Sequence, residues 1–479
     1  MTPTTMLIAG EWTSGTSDKS LPVHNPADRS LVAEVAVASV DDVDRAVSAA
    51  VGAAEDMAAL TEFERAELLG GTADIIDSRA QELAAQMTAE CGRPLVAETR
   101  HELAEVAEIF RLAAEETKRL ETAVMPSIER TKRVFTHRKP VGVYALVTPF
   151  NFPMNIPAEL LAAALGGGNT VVLKPSELTP LSGAALAQAV VEAGFPTGAV
   201  NVVHGDGSVG AQLVSHRLVA GIGFVGSNRT AEAIVRSAGL KRTLIEASGN
   251  GPQIVLDDGD LERAAEAAVY GATFVAGQCC VATERLLVQE SIHDQFVELL
   301  LAAAAEPRLG DPMDADTTYG PVNNETVAAR MDAHVADAGE RGATVLLGGR
   351  RSDDFGSDLF WPLTIIDGVT PEMTAFREET FGPILPITTF GDDTQAITLA
   401  NDSDLGLQAS VFTGSLSRAH RYIDELRTGT VLVNESTNFW EQHPPFGGAG
   451  GTRTGWGRIG GKYTLHDMTD LRTAVIDVR

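Results

Sequence analysis

From Gly142 onward, runs of β-branched residues alternate with amphipathic or alanine-rich stretches. Val143–Val147, Thr170–Leu173, Val200–Val203, Gly221–Val225, Thr243–Ile245 and Ile254–Leu256 are short and apolar, the pattern of buried strands. Between them Ile156–Leu165, Leu181–Glu192, Val209–Ser215, Thr230–Ser237 and Leu261–Val275 are predicted helices. This alternation predicts an α/β domain built on a largely parallel sheet. Upstream, Val40–Ala53, Glu62–Glu90 and Pro94–Leu120 are predicted helices, the last two rich in strong helix formers. After Arg285 the alternation resumes, with strands near Leu286–Val288, Thr344–Leu347 and Val431–Val433 and helices near Ile292–Ala304 and Asn324–Glu340, which predicts a second α/β domain. Thr131–Val147 and the terminal Thr473–Val478 are β-rich and stand apart, as a small protruding sheet would.

At 479 residues the chain is too long for one ordinary core, which agrees with two or more domains. Hydrophobic residues make up 44% and charged residues 21%, so neither a disordered nor a membrane class is indicated. No apolar run reaches the roughly 18 residues of a spanning helix. The first dozen residues lack a basic region followed by an apolar stretch, so no signal peptide is read and a cytoplasmic protein is expected. A formal charge of −28 with no local basic patch argues against nucleic-acid binding. The three cysteines, Cys91, Cys279 and Cys280, do not make a disulfide framework, and no metal-ligand spacing is present. A reactive thiol remains open.

Four stretches can carry chemistry. Gly205-Asp206-Gly207-Ser208-Val209-Gly210 fits a dinucleotide fingerprint between a strand and a helix, but an ordinary turn with close helix–strand packing is the stronger reading in a glycine-rich chain. Lys174 and Glu177 follow a predicted strand where open α/β sheets bind ligands; they suit ribose hydroxyls, or simply solvent. Cys280 is a nucleophile or a small buried hydrophobe. Glu246, at another strand end, is a general base or a strand-end charge.

Taken in chain order, these stretches resemble the aldehyde dehydrogenase superfamily over essentially the whole sequence. Asn25-Pro26-Ala27 resembles its NPA element, Pro149-Phe150-Asn151-Phe152-Pro153 its PWNFP motif and Leu173-Lys174-Pro175-Ser176-Glu177 its LKPSE motif. Phe224-Val225-Gly226-Ser227 resembles the FTGS loop, Gly277-Gln278-Cys279-Cys280 the GQxC motif, Glu378-Glu379-Thr380-Phe381-Gly382-Pro383 the EExFGP motif and Pro445-Phe446-Gly447-Gly448 the PFGG element. The resemblance implies a Rossmann-like cofactor domain over 1–120 and 141–246, a catalytic α/β domain over 247–445, and oligomerisation strands over 121–140 and 464–479. It implies oxidation of an aldehyde to a carboxylic acid with NAD or NADP, through a thioester on Cys280. Asn151 would hold the oxyanion and Glu246 would activate the hydrolytic water. Phe150, Lys174, Glu177, Gly226, Ser227, Glu379 and Phe381 would bind cofactor, NAD being favoured because Glu177 opposes a 2′-phosphate. A homodimer or homotetramer is implied.

Alternatives are a member that passes the thioester to coenzyme A, against which Glu246 speaks, and a non-catalytic member of the fold. Trp440, His443 and Arg453 are candidates for the substrate pocket, with loop packing as the competing reading for the first two. His443 and Arg453 would suit an anionic aldehyde, whereas Phe150, Phe439 and Trp440 would line an aromatic tunnel. Three departures from the family pattern stand out: Ala231 where a glycine is usual, Ala247-Ser248-Gly249-Asn250 after Glu246 in place of LGGK, and a longer loop, Ala449 to Arg453, expected near the substrate entrance.

Overall fold

The computed structural model describes residues 4–479, so the first three residues of the predicted cofactor domain, and of the stretch searched for a signal peptide, lie outside the described residues. Two large sheets organise the chain. The first has eight strands in the order Gly455–Trp456, Arg242–Ala247, Val219–Gly226, Val143–Val147, Thr170–Lys174, Val200–Val202, Met6–Ile8 and Glu11–Thr13. Its five central strands are parallel, with antiparallel strands at both edges. Both faces are covered, which is why these strands read as continuous apolar runs. Glycines interrupt Val219–Gly226 for a reason: a Cβ on Gly221 would enter the Tyr144 ring, and one on Gly223 would lie 2.8 Å from Leu146. Neighbouring side chains lie across this strand in place of its own.

The chain leaves Val143–Val147 toward Thr170–Lys174 on one side and returns at Val219–Gly226 on the other. Loops diverging from that switch point open a crevice at the carboxyl ends of the strands. The second sheet runs Thr344–Leu347, Thr364–Asp367, Ile384–Phe390, Arg285–Gln289, Pro252–Val255, Gln408–Phe412 and Thr430–Val433, parallel except for the first strand. Cys280, Gly249 and Phe381 all lie in loops that enter this sheet. The residues leaving one sheet therefore meet residues entering the other. A third sheet joins Thr469–Asp477, Lys132–Pro140 and Ala123–Met125, and Asn169 ties it to the first by accepting from the Val141 and Gly142 N–H groups and donating to the Ala164 and Met468 carbonyls.

Some elements differ from the sequence expectation. The predicted helix Glu62–Glu90 is two helices, Glu62–Ser78 and Ala80–Cys91, broken at Arg79, where φ −115° and ψ 6° leave the helical region. Thr131–Val147 divides between two sheets: Lys132–Pro140 joins the protruding one and Val143–Val147 the first. The N-terminal strands, among them Ser20–His24 and Leu31–Ala36, went unread because they are short and mix polar with apolar residues.

Candidate active site

A groove of about 420 Å³ follows the carboxyl ends of the first sheet from Lys174 to Cys280. Phe150, Asn151, Lys174, Glu177, Gly226, Ser227, Glu379 and Phe381 all line it, so every residue predicted to meet cofactor faces one space. Lys174 is buried, and its ammonium donates to the Pro175 carbonyl at 3.1 Å and to Glu177 at 3.2 Å, which leaves one N–H unused among the described residues. Ser227 caps the helix Asn228–Ala238, so the amino end of that helix opens on the groove. Val214 and Ile234 form an apolar slot between two helices. A polar pair for a ribose, a helix amino end for phosphates and an apolar slot for a base fit a dinucleotide.

The glycine fingerprint divides between its two readings. Gly207 and Gly210 line the groove, whereas Gly205, at φ +151° and with no room for a Cβ beside Val209, serves the turn. Ala231 is buried in the core cluster behind its helix and does not line the groove, so its methyl packs the helix.

At the far end of the groove the backbone is strained. Val275, Ala276 and Gly277 take φ of +54°, +51° and +70° in succession, a conformation that costs non-glycine residues roughly 1–3 kcal/mol each. The turn is held from outside: the Val275 N–H donates to Glu98 at 2.9 Å, and Gln278 accepts from the Asn323 N–H at 2.8 Å. It delivers Cys280 against Gly249, where a Cβ would collide with the Cys280 carbonyl. Glycine is therefore required at this place in the unusual Ala247-Ser248-Gly249-Asn250 segment. Asn151 donates one amide N–H to the Gln278 carbonyl at 2.8 Å, which fixes the side chain and leaves its second N–H without an acceptor among the described residues.

Beneath this sits a buried ionic cluster. Arg93 donates to Glu98 at 2.8 Å, to Glu102, and to the Asn151 carbonyl at 3.1 Å, with its guanidinium 4.8 Å from the centre of the Phe152 ring. Glu102 in turn accepts from the Met154 and Asn155 N–H groups at the start of the helix Asn155–Gly166.

Glu246 is 2% exposed, and its Oε1 has no hydrogen-bond partner. Burial, then the charges of Glu379 and Cys279, push it up to about 8 against a hydrogen bond with Cys280. The Cys280 thiol is pushed well up by its hydrogen bond with Cys279, by burial and by Glu246. Glu379 is raised chiefly by burial; its carboxylate accepts from the Gly249 N–H at 3.0 Å. Phe381, at φ +58°, meets Phe150 edge to face.

Cys280 and Glu246 also line a second cavity of about 280 Å³, walled by Phe152, Tyr270, Phe274, Trp440, Phe446 and Ile459. Trp440 and Phe439 are where an aromatic tunnel needs them, whereas Phe150 belongs to the groove. Two substrate candidates lie outside this cavity. His443 is exposed beside Glu441 at 3.7 Å, and Arg453 pairs with Glu232 and with Asp404 at 3.6 Å against the helix Asn228–Ala238. The long loop is anchored there too, through Ala449 to Gly406 and Arg453 to Asp404, so it does not form the cavity wall. Sequence reasoning missed Arg93, Glu98, Glu102, Glu105, Asn155 and Glu159. The readable signal was polar residues at helical spacing on helix faces otherwise meant for the core.

The family model described as the aldehyde dehydrogenase family matches residues 12–474. The NADP-dependent succinate-semialdehyde dehydrogenase of Escherichia coli is 36% identical over 469 residues, covering 97% of this chain and 96% of that one. An NADP-dependent enzyme of E. coli superposes with a TM-score of 0.96 at 35% identity, covering 99% of this chain and 98% of the other. An NAD-dependent aldehyde dehydrogenase from Sinorhizobium meliloti gives 0.95 at 35% identity, covering 99% and 94%. The chain belongs to the aldehyde dehydrogenase family. It is an oxidoreductase that converts an aldehyde to a carboxylic acid with NAD(P)⁺.

The ionic cluster predicts that Arg93→Met, which keeps much of the volume but strands two buried carboxylates, lowers unfolding free energy by about 3–5 kcal/mol. Urea denaturation measures this; a loss under 1 kcal/mol refutes the assignment of Arg93 as the counter-ion of this cluster.

Proposed function

We propose that Cys280 is the nucleophile and Glu246 the general base of this aldehyde oxidation. The observation that carries the reading is that both side chains line the groove and the apolar cavity at once, where an aldehyde and a hydride acceptor would meet. The Cys280 sulfur, once deprotonated, adds to the carbonyl. The free Asn151 N–H and the Cys280 backbone N–H, which has no acceptor among the described residues, stabilise the oxyanion; one such donor is worth roughly 3 kcal/mol of barrier. The nicotinamide cofactor, when bound, accepts the hydride. The thioester then left on Cys280 is hydrolysed by water that Glu246 deprotonates. Glu246 also argues for water over coenzyme A as the acyl acceptor.

In this reading residues 1–120 and 141–246 form the cofactor domain, 247–445 the catalytic domain, and 121–140 with 464–479 the association strands. Phe150, Lys174, Glu177, Gly226, Ser227, Glu379 and Phe381 bind cofactor, and Trp440 lines the aldehyde cavity. The E. coli relative is named for succinate semialdehyde, whose carboxylate needs a cation. No lysine or arginine lines the cavity here, so that substrate is not carried over. The three cysteines, all free, suit the reducing cytoplasm. Among the described residues no helix is long and apolar enough to cross a membrane.

Glu246→Gln is expected to release up to one equivalent of NAD(P)H per site and stall, with an acyl adduct on Cys280 visible by mass spectrometry. General-base catalysis should fall roughly 10²–10⁴-fold. In the unsubstituted enzyme, hydrolysis-limited turnover should rise with pH through about 8, as Glu246 loses its proton, and the Gln variant should lack that limb. Full steady-state turnover in the variant removes Glu246 from the mechanism.

Cofactor choice rests on Glu177, whose carboxylate is half-exposed beside Lys174 and opposes a 2′-phosphate. NAD is the preferred cofactor, and Glu177→Gln should raise the ratio of kcat/KM for NADP over NAD about tenfold, some 1.4 kcal/mol. An unchanged ratio places cofactor discrimination elsewhere.

Self-association follows from the third sheet, whose two edge strands expose Val124, Val475 and Ile476. Sedimentation velocity at micromolar concentration should show a dimer or tetramer; a monomer alone overturns this.

A further inference from the structure

The cavity beyond Cys280 is acidic as well as aromatic. The helix Asn155–Gly166 presents Asn155 and Glu159 one turn apart on the face that lines it, and Glu105 enters from the helix Arg100–Thr117. The Asn155 amide donates to Glu105 at 3.0 Å. Glu159 is 5% exposed, accepts no hydrogen bond among the described residues, and its Oε1 is left without a partner. Arg93, the cation that acts on Glu105, is already engaged by Glu98 and Glu102 and does not line the cavity. Burial and the charge of Glu105 push Glu159 up to about 8. Burial, then the charge of Glu102, pushes Glu105 up to about 7.

A buried carboxyl group facing a substrate cavity without a counter-ion is unusual, because buried charges are normally paired. The walls sharpen the point. Tyr270, Phe274 and Trp440 present ring systems whose negative faces attract cations. The missing partner has the properties of a cation with an apolar or alkylated periphery.

Resting on the reading of Cys280 as the aldehyde-binding nucleophile, we propose that the substrate is an aldehyde bearing a cationic nitrogen remote from the carbonyl, with that nitrogen held by Glu159 and Glu105 among the aromatic rings. The aldehyde end reaches Cys280 while the ammonium replaces the counter-ion the chain itself does not supply. An aldehyde ending in a carboxylate meets the same groups as repulsion. A neutral aldehyde leaves them unpaired.

The test compares three aldehydes of similar length: trimethylammoniobutanal, hexanal and succinic semialdehyde. The cationic aldehyde should exceed hexanal in kcat/KM by at least about tenfold, with succinic semialdehyde lowest. Glu159→Gln should reduce the cationic-to-neutral ratio about tenfold or more. Calorimetric titration with tetramethylammonium chloride reads the same site without turnover: the unsubstituted enzyme should bind it and Glu159→Gln should bind it at least tenfold more weakly. Equal or reversed preference among the aldehydes, or no tetramethylammonium binding by the unsubstituted enzyme, overturns the proposal. Tetramethylammonium binding without turnover of any aldehyde would support the cation site and count against the reading of Cys280 instead.

Discussion

One buried guanidinium ties together the segments that line the groove and the cavity. Arg93 reaches Glu98, Glu102 and the Asn151 carbonyl, and each contact leads to a different part of the site. Through Glu98 it supports the strained turn before Cys280, and through Glu102 it fixes the start of the helix that carries Asn155 and Glu159. These segments are loops and helix ends, which have no ladder of sheet hydrogen bonds to position them. A charge this deeply buried tolerates no loss of partners, so the cluster forms completely or the interior is badly destabilised. Lysine could not replace it, because the arrangement needs donors spread over a planar fork.

The electrostatics of the reacting pair follow from the same burial. Cys280, Glu246, Glu379 and Glu284 crowd one region, and burial favours the protonated form of each. Two anions at Cys280 and Glu246 oppose each other, so the pair titrates as a unit in which ionising one disfavours the other. In the proposed sequence the thiol, while protonated, favours the Glu246 carboxylate through its hydrogen bond, and acylation removes that donor. Burial and the charge of Glu379 then hold the Glu246 pKa up, so the carboxylate freed from the thiol is the better proton acceptor toward water.

Contiguous motifs made the cofactor side legible. Lys174 and Glu177 lie at and just beyond the end of one strand, and Gly226 and Ser227 at and just beyond the end of another, where the crevice of an open α/β sheet opens. Both large sheets were legible for a related reason: strands covered on both faces must be continuously apolar. Charge alone did not say where a side chain would lie. Arg453 and His443 lie in a loop near the expected entrance, yet Arg453 finds Glu232 on a neighbouring helix and His443 stays in solvent. A cation in a sequence does not announce which carboxylate it will meet. The glycine fingerprint divides, since Gly205 answers to Val209 while Gly207 and Gly210 face the groove.

The aldehyde side resists reading because its residues arrive singly from helix faces. Glu105 and Glu159 are 54 positions apart, and each sits in a helix whose composition suggests only packing. The clue was the cost of placing them there. The helix Asn155–Gly166 is buried along almost its whole length, so a glutamate one turn into it must be exposed to something other than bulk water. Family membership supplies no such constraint: in the proposed chemistry Cys280, Glu246 and Asn151 act on the carbonyl whatever the aldehyde carries beyond it. Identity of 36% to a relative therefore fits conservation of the reaction together with a change of the charge that the wall selects.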